Sequence, residues 1–234
     1  MKSLFILLLL LVPALHVLSQ EQKFTLEAEL LFHSRHLWRG MQFGHAPTAE
    51  PSVTLGKGRF SFNLWAAKTF DDSYAEIDLI PSFRLNGLEI SLMDYYNPVP
   101  GTDNHFFNLK DGQHRHSTEL VISQEQTEKW PLRCLAGVFF FGDKNPGTGK
   151  PYYSTYAELA YPFCSFNLQF EPAVGFTTHE GYYAHQFAII NTGFKIKKEF
   201  RISQSLIIPV RFSAIHNPYQ DKLFFSVAGG FKLP

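Results

Sequence analysis

From Lys23 to the end of the chain, side chains alternate with a period of two. Leu26, Ala28, Leu30 and Phe32 interleave with Glu27, Glu29, Leu31 and His33, and Phe60, Phe62, Leu64 and Ala66 with Ser61, Asn63, Trp65 and Ala67. The same pattern runs through Ala75–Phe83, 154–159 and 167–174. Successive side chains on a strand point to opposite faces, so this pattern specifies strands with one apolar and one polar face. Twelve such segments are predicted, at 24–39, 48–56, 59–70, 74–85, 88–96, 117–124, 132–142, 153–161, 165–177, 185–197, 204–216 and 222–233. Most are longer than the usual strand of about 5–6 residues and close to the 9–11 of a tilted membrane-crossing strand.

The connections alternate in length. Gly56-Lys57-Gly58, Asn86-Gly87 and the Tyr161–Cys164 corner read as short turns, Asn-Gly because both of its positions tolerate positive φ. Longer polar links fall between them at 40–47, 97–116, 143–152, 178–184 and 217–221; Asp71–Ser73 and 125–131 break the rule. An even strand count with short turns on one rim is the plan of an outer-membrane barrel with both termini periplasmic.

Alternation by itself does not say which face is inside, since a soluble lipocalin-like barrel is apolar within and a membrane barrel apolar without. The polar face carries mid-strand charges of both signs, which can pair across a lumen. Aromatic residues such as Trp38, Tyr95, Trp130, Tyr153, Tyr182 and Tyr219 gather near strand ends, where interfacial girdles sit. Both features point to the membrane barrel. In hydrocarbon every backbone group is paired internally, so the sheet must close. Pro81, Pro172 and Pro209 fall in strand interiors, where each lacks a ladder donor.

Composition removes other classes. With 21 Lys+Arg against 21 Asp+Glu, the chain has no basic excess for nucleic acid. At 45% hydrophobic and 16% aromatic it has too much to bury to stay disordered. Beyond the N-terminus no stretch approaches the roughly 18 uninterrupted apolar residues of a membrane helix. Lys2, the apolar run Leu4–Val12, and small residues at Val17 and Ser19 read as a secretory signal peptide over 1–19. Residues 20–234 then form a single barrel domain.

Ser34-Arg35-His36-Leu37-Trp38-Arg39-Gly40, followed by Gln42 and Pro47, resembles the opening signature of the TorF-type porins, outer-membrane barrels of Gram-negative bacteria. Glu76-Ile77-Asp78-Leu79 and Tyr95-Tyr96-Asn97-Pro98 look like that family's acidic strand and aromatic-Pro strand end. The likeness covers about the first third of 20–234. Met41 and Phe43-Gly44 depart from the family's more polar stretch, and the chain ends Phe231-Lys232-Leu233-Pro234 rather than on an aromatic. The resemblance implies a membrane location and a transport role without naming a cargo.

Catalytic and metal-binding patterns are weak. Ser34 and His36 share a face parity, but no carboxylate or amide of matching parity completes a triad. His105, His114 and His116, with Asp103 and Asp111, share one long loop without fixed ligand spacing. Gly147-Thr148-Gly149-Lys150 has Lys144 where a phosphate loop needs its first Gly, and Pro151 where it needs Ser or Thr. No enzyme, cofactor or metal is expected.

The expectation is therefore an all-β, closed, twelve-stranded outer-membrane barrel acting as a porin-like channel for small solutes. Its lumen-lining residues would be Glu27, Glu29, Arg35, Arg39, Glu76, Asp78, Glu119, Glu158, Glu171 and Arg211. Arg39 reads either as part of a structural salt-bridge cluster or as part of a selectivity ring. Cys134 and Cys164 fall at the short-turn end, where a disulfide is one outcome and two thiols the other. The alternative function is a structural or surface-interaction barrel with a charge-plugged lumen and binding loops at 97–116 and 143–152. A soluble secreted barrel with a lipophilic ligand is the third reading.

Overall fold

The computed structural model describes residues 23–110 and 114–234. The predicted signal peptide, 1–19, lies outside them, as does Asp111. The strands are β1 (Phe24–His33), β2 (His36–Trp38), β3 (Met41–Phe43), β4 (Thr48–Lys57), β5 (Phe60–Thr69), β6 (Ala75–Leu85), β7 (Leu88–Tyr96) and β8 (His116–Gln124). They continue as β9 (Arg133–Phe141), β10 (Thr155–Ala160), β11 (Phe163–Ser165), β12 (Leu168–Thr177), β13 (Ala188–Arg201), β14 (Ile207–Asn217) and β15 (Lys222–Leu233). Every pairing is antiparallel. β1 is bonded to both β4 and β15, and β10 to both β9 and β12, so the sheet closes on itself.

β10 and β11 are one wall strand. Ala160 faces Ala173 and Phe163 faces Phe170 in an unbroken register, and Tyr161 N donates to Pro172 O at 2.9 Å. Pro162 has no N–H, which interrupts the ladder without bending the chain away. With β2 and β3 outside the main sheet, the barrel has twelve strands, as the period-two segments predict. The Tyr161–Cys164 corner does not exist: the turn is at Phe166-Asn167, both at positive φ (51° and 57°). Asn86-Gly87 forms the expected hairpin turn, with φ of 52° and 86°.

The inside-out reading of the two faces holds. Outward-pointing Leu26, Leu55, Phe62, Ile90, Ile122, Phe194 and Phe225 are exposed around the wall. Inward positions hold Glu50, Asp78, Glu119, Glu158 and Glu171, all buried. A ten-residue strand at about 3.4 Å per residue, tilted by about 40°, rises about 25 Å, the height of the apolar band of an outer-membrane barrel.

The first predicted strand, 24–39, is too long. β1 stops at His33, because Ser34 N bonds to Val227 O and Ser34 Oγ accepts from Val227 N. Ser226 Oγ then caps Arg35 O at 2.8 Å, ending the β1–β15 ladder. The chain turns inward there, and β2–β3 forms a hairpin within the barrel.

Candidate functional site

The β2–β3 hairpin pairs His36 with Phe43, Leu37 with Gln42 and Trp38 with Met41. Its two-residue tip, Arg39-Gly40, has φ of 46° and 80°, the doubly positive turn that matches strand twist. A Cβ on Gly40 would lie 1.8 Å from Ile190 O of the wall, so only glycine brings the tip this close. Asn217 Nδ2 donates to Gly40 O at 3.1 Å and ties the tip to β14.

At the tip, Arg39 forms a two-point ion pair with Glu119 on β8, Nη1 to Oε1 at 2.7 Å and Nη2 to Oε2 at 2.9 Å. Arg39 also donates to Tyr183 Oη at 2.5 Å, and Tyr95 Oη donates to Glu119 Oε2 at 2.8 Å. The Trp38 and Tyr156 rings each stand 4.5 Å from the guanidinium carbon. Planar stacking combined with a forked pair is a geometry that lysine does not reproduce. Tyr183 arrives from the 178–187 connection, a second segment folded inward, and burial pushes its phenol above the ordinary value. Tyr95, Phe139, Tyr156, Tyr183 and Ile190 form one buried cluster against which Trp38 and Met41 pack.

The polar network continues along the wall. Tyr156 Oη donates to Glu158 Oε2 (2.6 Å), and Asn191 Nδ2 reaches both of those atoms (2.9 and 3.0 Å). Arg133 bridges Glu158 and Glu171 at 3.0 and 2.9 Å, and Lys197 closes on Glu171 at 3.4 Å. Nearer the short rim, Arg211 pairs with Glu29 (2.6 Å) and Lys232 with Glu27 (3.6 Å). On the opposite wall, His36 Nδ1 and Thr48 Oγ1 each lie 3.0 Å from Glu50 Oε1, and Tyr74 Oη donates to Glu76 (2.6 Å). Asp78 is buried, and its Oδ1 has no hydrogen-bond partner among the described residues.

Of the ten residues expected to line a lumen, Glu27, Glu29, Glu76, Asp78, Glu119, Glu158, Glu171 and Arg211 lie at inward positions of wall strands, and Arg39 lies at the hairpin tip. The tenth, Arg35, is exposed at the rim, bonded to Gln42 Oε1 at 3.2 Å, because the strand that would have carried it inward ends two residues earlier. Glu50, Arg133, Lys195, Lys197 and Tyr183 were not singled out. The first four lie on strands with inward parity, so period-two counting could have found them; Tyr183 lies in a connection and gives no such signal.

Cys134 and Cys164 are free thiols. Cys134 pairs in register with outward Leu159, whereas Cys164 pairs with Gln169, on the inward parity of Glu171. They lie on opposite faces of the wall, which excludes the disulfide outcome for this fold.

His36, of the same parity as Ser34, is inside against Glu50, while Ser34 is engaged with β15. The loop histidines do not converge. His116 pairs with Asp94 at 2.8 Å, and His114 stacks on Phe141. No group of three or more metal-ligating side chains occurs among the described residues.

Cavities lie around the β2–β3 hairpin. A vestibule of about 290 Å³ on the long-loop side is walled by Trp38, Phe43, Tyr74, Tyr95, Phe139 and Tyr182. Beyond Arg39, a chamber of about 320 Å³ is lined by Glu89, Ser123, Arg133, Glu158 and Lys195. A third space of about 200 Å³ lies between His33, Lys195, Lys197 and Arg211. Trp38 and Tyr95 border both the vestibule and the chamber, so the hairpin tip, latched by the Arg39–Glu119 pair, stands between them.

No family model and no curated protein matches the chain. Among solved structures, it is similar to a KdgM porin at 9% identity, covering 89% of this chain and 98% of that one, with a TM-score of 0.49. It is also similar to the COG4313 outer membrane channel from Pseudomonas putida F1 at 10% identity, covering 92% and 98%, with a TM-score of 0.44. Likenesses at this level assign no function, which has to come from the barrel's own geometry.

Proposed function

We propose that the chain is an outer-membrane barrel that passes small solutes through a lumen held closed by the β2–β3 hairpin. The observation that carries this reading is the inversion of the two faces: a closed wall with an apolar exterior encloses a polar, ion-paired interior. A soluble protein rarely exposes apolar patches beyond a few hundred Å², whereas a closed barrel in lipid requires a continuous belt. Cavities on both sides of the Arg39 latch, each with polar groups in its lining, supply the two ends of a path. On this reading both termini are periplasmic, and the TorF-type signature marks the segment that folds inward as the plug.

Planar-bilayer recording tests the proposal. Wild-type barrel is expected to give rare or small openings, and Arg39→Ala frequent, larger ones. The buried latch also favours a second reading, a permanently plugged barrel that presents 97–116 and 143–152 to a surface partner. Silence from both wild type and Arg39→Ala in the bilayer selects that reading. Extraction as a soluble monomer without detergent rejects both.

A further inference from the structure

We infer that the vestibule above the latch is a binding site for a neutral saccharide of one or two rings. The inference deepens the pore reading by naming a class of solute, and rests on it only for the side from which the ligand arrives.

The six rings of the vestibule come from five parts of the chain that meet only in the folded barrel. Trp38 and Phe43 belong to the hairpin, Tyr74 and Tyr95 to the β5–β6 connection and β7, Phe139 to β9 and Tyr182 to the 178–187 connection. They contact one another at centroid distances of 5.2–6.4 Å, as in Phe43–Tyr74 (5.2 Å), Trp38–Tyr95 (5.7 Å) and Phe139–Tyr182 (6.4 Å). These rings satisfy part of one another's surface and leave the rest facing the cavity. Between them Glu76, Asn97, Ser117, Asp143 and Lys144 also line the space. Glu76 is nearly buried and is fixed by Tyr74, whose hydroxyl is in turn reached by Asn97 Nδ2 at 3.3 Å.

The mixture of polar groups decides between ligand classes. An anion would meet the carboxylates of Glu76 and Asp143. An organic cation would suit the ring faces and carboxylates but would meet the like charge of the Lys144 ammonium. A purely apolar ligand would strip water from five polar side chains and give nothing back. A pyranose presents an apolar C–H face for stacking on rings and a rim of hydroxyls that both donate and accept. That is the pattern of this lining: apolar walls with a few convergent polar groups. At about 290 Å³ the cavity is near the lower end, about 300 Å³, of small-molecule sites.

The test is titration calorimetry of the purified barrel in a polyoxyethylene detergent, which carries no sugar, with maltose and cellobiose as probes and choline and succinate as competitors of other chemistry. The expected result is saturable binding of at least one disaccharide and of neither ion. Tyr182→Ala, which removes a platform from a connection outside the ladder, should weaken it about tenfold. Glu76→Gln, which keeps the side chain's shape, should weaken it comparably. Absence of saturable binding by both sugars overturns the inference, as does preferential binding of choline or succinate. Sugar binding that is unaffected in both variants places the site elsewhere and also overturns it. Calorimetry does not depend on conduction, so a barrel that binds maltose but passes no current retains this site and loses the pore reading.

Discussion

Arg39 and Glu119 stand eighty positions apart in sequence and meet inside the barrel as a two-point ion pair, with side chains 8% and 0% exposed. One partner comes from a hairpin that the wall does not need and the other from the wall itself. Removing the arginine leaves a buried carboxylate without its counter-ion, which typically costs about 3–5 kcal/mol. Arg39→Ala should therefore expel the hairpin tip, raise single-channel conductance and lower the melting temperature, while the β-sheet circular-dichroism signal stays. Glu119→Gln should open the lumen less, because Tyr95 and Arg39 can still bond the amide. Equal conductance in wild type and both variants would show that the hairpin is not the barrier.

The wall was legible in the sequence because its physics is local. Period-two alternation, Asn86-Gly87 and the rim-by-rim difference in connection length each report on a few neighbouring residues. The hairpin was not, since 34–39 continues the alternation of β1 and only its surroundings distinguish an inward hairpin from a longer strand. The available clue was that Trp38, Met41 and Phe43 are too apolar for a solvated loop, with a Gly at the tip. The Phe166-Asn167 turn stayed hidden because phenylalanine rarely adopts positive φ, while Pro162 nearby imitates a corner. Parity needs only neighbours in sequence, so it assigns a side to each wall carboxylate and base. Arg35 failed because its parity held but its strand had ended.

Gly40 offers a second route to the same barrier. Alanine there meets Ile190 O at 1.8 Å and must also adopt φ of 80°. Gly40→Ala should displace the tip without removing any charge, so its conductance should resemble that of Arg39→Ala. Hydrogen exchange should rise at 36–43 and stay low in β8 and β14. Protection at 36–43 equal to wild type would contradict the close packing of the tip.

The two thiols should behave independently. Cys134 looks outward beside Leu159 and Cys164 is exposed at the short rim. A membrane-impermeant maleimide should label Cys164 in proteoliposomes whose short rim faces the bulk solution, and Cys134 only after detergent denaturation. Non-reducing and reducing gels should show the same mobility; a reducible shift together with loss of both labels would mean that the wall is threaded differently.

Acid should loosen the connection between β5 and β6. The Ser73 hydroxyl and amide both donate to Asp71 Oδ1, at 2.6 and 3.0 Å, and hold that carboxyl below its ordinary value. A depressed folded value means the turn's contribution is complete above the ordinary carboxylate range and is lost as pH falls through the lower, folded value. Amide exchange at Ser73 should therefore accelerate only at the acid end in wild type, and be fast at every pH in Asp71→Ala. A Ser73 amide that stays protected in Asp71→Ala would rule out this turn as the cause.

Glu171 sets the charge of the inner lumen. It accepts from Arg133 at 2.9 Å and Lys197 at 3.4 Å, and Lys195 lies 3.8 Å away, so three cations share one carboxylate. Neutralising it leaves those cations as the dominant field along β9 and β13, in a narrow space where fixed charge governs which ions enter. In the Arg39→Ala background, Glu171→Gln should move the reversal potential in a KCl gradient toward anion permeation. Lys197→Gln should move it the other way, since it returns the balance to the carboxylate. Shifts of the same sign in both variants would mean that the ions bypass this stretch of wall, and the path from the vestibule to the short rim would have to be redrawn.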